Sequence, residues 1–141
     1  MAKPEKKIYS KDLGIDLKSK KESELFKWFL ACLLFGKPIQ QEVAKRTYFE
    51  FEKEGLLKPK KILKAGWSKL VRVLDRGHYV RYDFSTATKL LEICKKLKKD
   101  YGTMLNFIKS AKSKKGLEKK LLEFKGIGPV TTRIFLRDIR I

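Results

Sequence analysis

The sequence predicts an all-α fold, and three observations carry the prediction. Apolar residues recur at the helical period through most of the chain, glycine and proline interrupt the periodic stretches, and no segment alternates long enough to form a sheet. With 141 residues, 43% of them apolar, the chain has enough core for one domain without staples.

The elements follow in order. Residues 1–21 are lysine-rich with scattered apolar positions and read as a basic, partly ordered N-terminal arm; the domain proper takes 22–141. Ser23 is placed to cap a core helix to about Phe35, in which Leu25, Phe26, Phe29, Leu30, Leu33 and Leu34 keep the helical spacing. Gly36-Lys37-Pro38 stops it. A second helix covers about 39–54, with Val43, Thr47 and Phe51 on one stripe and Gly55 as its cap. Pro59 opens a short helix to Ala65, and Gly66 separates it from another over 67–74. Residues 76–82 are the least helical and read as a loop. Asp83 or Ser85 caps the next helix, whose Phe84, Ala87, Leu90, Leu91, Cys94 and Leu97 make one apolar face, broken at Gly102. Two short helices, about 104–110 and 116–124, lead to a glycine turn and a last helix.

Charge narrows the function. The chain has 35 Lys and Arg against 16 acids, a formal charge of +19, so a polyanion partner leads, with nucleic acid ahead of a membrane or an acidic protein. A uniformly basic proteome is the plainer explanation, but thermophile surfaces enrich Glu beside Lys, and here Glu lags. Cys32 and Cys94 sit in helical patterns and read as buried thiols; with His78 they are too few for a zinc or iron–sulfur site. No apolar run approaches bilayer length, and the N-terminus carries no secretory signal. A soluble, cytoplasmic, nucleoid-associated protein is expected, with neither a membrane partner nor a cofactor.

The most informative stretch is 118–138. Gly126-Ile127-Gly128-Pro129 joins two apolar helical patterns with almost no side-chain bulk. Glycine allows positive φ and close backbone approach, Gly126 suits the left-handed position that ends a helix, and Pro129 suits the first turn of the next. The unpaired N–H groups and dipole at that helix start make an anion site, and in so basic a chain the anion is a nucleic-acid phosphate.

Leu121, Phe124, Gly126, Ile127 and Gly128, continued by Thr131, Thr132, Ile134 and Leu136, form a pattern that resembles a helix–hairpin–helix DNA-binding motif. An early apolar helix, a loop, linking helices and a late hairpin resemble the endonuclease III and helix–hairpin–helix DNA glycosylase superfamily over roughly 23–139. The resemblance implies an orthogonal multi-helix bundle whose hairpin backbone, 125–131, holds a DNA phosphate. It implies contacts from Lys125, Gly126, Ile127, Gly128, Val130, Thr131 and Arg133, and a monovalent cation at the backbone of Phe124 and Gly126. It also gives the loop after the early helix, with Lys37 and Gln40, a side chain for the DNA stack. Lyases of that family carry a lysine where this chain has Val130, and valine forms no Schiff base. The family's catalytic aspartate falls beyond Ile141, so both catalytic groups are expected to be missing; Asp138 is the only nearby acid.

Elsewhere, Arg76, His78 and Arg81 mix with Tyr79 and Tyr82, which suits stacking and phosphate contact; the plainer reading is rings covering a core edge. The run 112–115 adds lysines ahead of the hairpin, and Trp28 and Trp67 read as packing. A glycosylase shortened at its end would leave the helix at 25–34 partly uncovered, which predicts self-association. The leading function is a DNA-binding protein in repair or maintenance that grips duplex phosphates. One alternative is an active glycosylase or lyase that flips damaged bases, with Asp75, Asp83 or Asp138 as its acid. The other is an RNA-binding or assembly protein.

Overall fold

A helix that is apolar all round belongs in the middle of a core. α1 (Glu22–Phe35) is that helix, and from Leu25 to Phe35 only Lys27 escapes burial. α2 (Gln41–Lys53), α3 (Pro59–Arg76), α4 (Asp83–Asp100), α5 (Met104–Ser110), α6 (Lys114–Leu122) and α7 (Pro129–Asp138) follow in the computed structural model, which describes residues 6–139. Among the described residues there is no strand, so the fold is all-α as predicted. α1 packs against α2, α5 and α7, α3 lies along α4, and α6 packs on α7.

Most breaks fall where glycine and proline put them. Gly66 takes φ 81 and ψ 169 inside α3, a conformation nearly exclusive to glycine, and so divides the helix as expected. The caps differ. Lys21, not Ser23, precedes α1, and Tyr82, not Asp83 or Ser85, precedes α4. Glu22 instead reaches across the chain, where its carboxylate accepts the N–H groups of Met104 at 2.9 Å and Leu105 at 2.7 Å and so caps α5.

The N-terminal segment packs on the helices. Residues 6–21 fold through two 3₁₀ turns, Ser10–Leu13 and Leu17–Ser19, and bury Ile8, Leu13 and Ile15. The Arg137 guanidinium donates to the Ile8 carbonyl at 2.7 Å, and the Ser10 N–H donates to Asp138 Oδ2 at 2.7 Å. The three apolar anchors have neither helical nor strand spacing, and the hydrogen bonds that hold Ile8 and Ser10 come from residues more than 100 positions away. Residues 1–5 of the expected arm lie outside the described residues. The uncovered face expected on α1 is not found, since α2, α5, α7 and the turn at Leu17–Ser19 all pack on that helix.

Candidate nucleic-acid interface

Phe124 roots the hairpin. It is buried with its ring edge-on to Phe29 at 6.3 Å and to Phe107 at 5.4 Å. α7 is fixed on α1 by the Trp28 indole N–H, which donates to the Phe135 carbonyl at 3.1 Å. α6 begins at Ser113, whose hydroxyl accepts the Gly116 N–H at 3.0 Å. Between them Gly126 takes φ 98, and Gly128 precedes Pro129 as the N-cap of α7.

Two details differ from the sequence reading. α6 closes at Glu123, so the left-handed Gly126 sits within the turn and not at the helix end. Gly128 has φ −106 and ψ −173, extended backbone open to any residue, and a Cβ there would meet nothing within 4 Å. Only Gly126 is required by geometry. A Cβ there would lie 2.9 Å from Cδ of Lys89, whose aliphatic stem lies over the turn.

The turn presents donors without acceptors. Among the described residues, the N–H groups of Lys125, Gly126, Gly128, Val130 and Thr131 donate to no protein acceptor. Ile127 is different: its side chain is buried and its N–H donates to the Phe124 carbonyl at 3.1 Å, so it is not available for a phosphate. Thr131 offers its N–H only, since its side chain is buried against Gly36.

A cleft of about 480 Å³ opens beside these donors. The turn, the α1–α2 loop at Gly36, Lys37 and Pro38, and the α4 face at Thr86, Lys89, Leu90 and Ile93 bound it. Lys37 and Lys89 meet there. Burial and then the neighbouring Lys89 lower the Lys37 pKa to about 8. Lys37 also lies 5.5 Å from the centre of the Tyr82 ring, which Arg81 approaches at the same distance. Thr86, buried on the cleft wall, has a hydroxyl with no hydrogen-bond partner. Two facing ammonium groups, free N–H groups and a helix start all favour one kind of ligand, an anion.

The other candidate residues divide. Lys125, Val130 and Arg133 are exposed around the turn. Gln40 is exposed before α2 and does not line the cleft. Arg76 is held by Glu54, while His78 and Arg81 are exposed on the α3–α4 loop. Tyr79 is a core residue, fully buried with its hydroxyl donating to the Leu34 carbonyl. Trp28 packs as expected, but Trp67 is 40% exposed. Neither Asp138, tied to Ser10 beside a separate cavity, nor Asp75 and Asp83 line the cleft. The neighbouring Asp83 carboxylate raises the Asp75 pKa.

Lys89 was not anticipated. Its one sequence signal is a cation set between Thr86, Leu90 and Ile93 on a face that is otherwise buried. The Phe124 carbonyl, expected to help hold a cation, already accepts the Ile127 N–H, and the charge of Lys89 beside Gly126 opposes a cation there. Cys32 and Cys94 are free and buried, and burial pushes the Cys94 thiol up to about 12. Among the described residues, no group of three or more His, Cys, Asp or Glu is placed to hold a metal ion, and no helix is long and apolar enough to cross a membrane. No family model, curated protein or solved structure matches the chain.

Proposed function

We propose that this protein binds duplex DNA as a helix–hairpin–helix module of glycosylase ancestry, in DNA repair or maintenance, and seats a backbone phosphate in the cleft at the Gly126 turn. The pairing of Lys37 with Lys89 beside N–H groups that lack acceptors carries the reading. A phosphate between the two ammonium groups relieves their repulsion and accepts from the turn. The +19 surface adds affinity that ignores sequence. No cation is needed, because the lysines supply the positive charge. None of the three acids considered lies at this site, so the reading extends to holding DNA and stops short of cutting it.

The test is fluorescence anisotropy with a duplex of mixed sequence across a salt series. Lys37→Ala with Lys89→Ala should weaken binding by more than tenfold and flatten the log–log salt dependence by about one phosphate contact. Gly126→Val should weaken it comparably by displacing Lys89. Wild-type affinity in both variants, with the helical far-UV spectrum retained, would exclude the cleft as the contact.

A further inference from the structure

Three of the exposed large apolar residues, Trp67, Val80 and Phe84, come from one part of the chain: the middle of α3, the α3–α4 loop and the start of α4. Trp67 and Phe84 form a ring pair with centroids 5.1 Å apart. The pair is built, not incidental. The Trp67 indole N–H donates to Thr88 Oγ1 at 3.1 Å, and Thr88 donates to the Phe84 carbonyl at 3.1 Å, so the indole is anchored across the α3–α4 seam. The glycine-only conformation of Gly66 resets the helix just before Trp67. Phe84 remains 61% exposed.

The stretch of chain that carries Trp67 is rich in cations. Between Glu54 and Asp75 the chain carries Lys58, Lys60, Lys61, Lys64, Lys69 and Arg72, of which Lys69 is paired with Glu54 at 3.6 Å, and Asp83 adjoins Phe84. An exposed ring pair on a helix whose sequence is rich in cations suits a nucleobase on the ring face and a phosphate on neighbouring cations. α4 separates this face from the hairpin cleft: Phe84 and Thr88 stand on one side, Thr86 and Lys89 on the other. Five residues of helix, about 8 Å of rise, separate Phe84 from Lys89. Tyr82, at the start of α4, carries Lys37 and Arg81 on its ring.

We infer that the Trp67–Phe84 face is a second nucleic-acid site, which stacks unpaired bases of a single strand. It does not depend on the hairpin: the cleft takes duplex phosphate, and this face takes bases that a duplex keeps stacked inside. Together the two sites select a duplex with an adjoining unpaired segment.

Trp28 is fully buried, so Trp67 is the tryptophan that solvent and ligand reach, and its emission reports this face alone. Titrating the full chain with a twelve-residue oligothymidylate should quench that emission, and the quench should persist in a Gly126→Val variant that has lost duplex affinity. Phe84→Ala, at an exposed position, should lower oligothymidylate affinity by about tenfold. Trp67→Phe should keep the affinity and lose the signal, which separates stacking from folding. Oligothymidylate that fails to bind, binds with Trp67 emission unchanged, or binds Phe84→Ala as tightly as wild type would overturn the inference. A wild-type protein that fails to bind duplex while this quench is intact counts only against the hairpin.

Discussion

Gly36 and Thr131 touch where α1 ends and α7 begins: a Cβ added to Gly36 would lie 1.9 Å from the Thr131 hydroxyl oxygen and 3.0 Å from its Cβ. Gly36 has right-handed φ, so the contact and not the backbone angle demands glycine. Gly36→Ala should therefore cost about 1–3 kcal/mol by pushing α7 off α1. Thr131→Ala removes the nearer atom and keeps the farther, so the double variant should recover part of the loss. Urea unfolding of the four proteins checks this, and strictly additive effects would count against direct contact.

Lys37 gives the cleft a pH signature. Its pKa falls from 10.5 to about 8 in the folded protein, with Lys89 and the Tyr82 ring as its neighbours. Between those values the unfolded chain holds a proton that the folded chain does not, so this group makes stability rise from about pH 8 to 10.5. Below pH 8 its penalty is fully present. Solvent screening keeps the effect modest. Lys37→Met should gain stability relative to wild type at pH 7, with the gap narrowing by pH 10. A bound phosphate restores the proton, so duplex affinity should fall between pH 7 and 9 in the wild type and stay flat in Lys37→Met. Melts and anisotropy at constant ionic strength read both.

Glu22 holds α5 from a distance of more than 80 residues in sequence, accepting from two N–H groups at its first turn. Glu22→Ala should cost about 1–2 kcal/mol. The loss should be local first, with faster hydrogen exchange at the Met104 and Leu105 amides than elsewhere in the core. Uniform acceleration across all helices would argue against a cap.

How far the sequence reached depends on the range of each interaction. Helices and their breaks were legible because period, glycine and proline act within a few residues. Gly66 was found as a break, yet its φ of 81 also resets the helix phase, so the side of Trp67 could not be extrapolated from Ile62. The turn at 126–128 was legible as a donor site, but the cleft was not, because Lys89 arrives from a helix some 40 residues earlier. Glu22, Ile8 and Asp138 are understood only through partners far along the chain.

Tyr79 and Tyr82 put that limit to a direct test, since one loop carries both and the sequence treats them alike. Tyr79 is fully buried and its hydroxyl donates to the Leu34 carbonyl, whereas Tyr82 is half-buried beneath Lys37 and Arg81. Tyr79→Phe removes one buried hydrogen bond and should cost about 1 kcal/mol while leaving affinity for nucleic acid unchanged. Tyr82→Ala should do the reverse, with little loss of stability and several-fold weaker binding of a duplex that carries a single-stranded tail. Urea unfolding paired with anisotropy separates the two. Weakened binding by a fully folded Tyr79→Phe would mean that the loop opens to present Tyr79, and that the core contact with Leu34 is broken in the bound state.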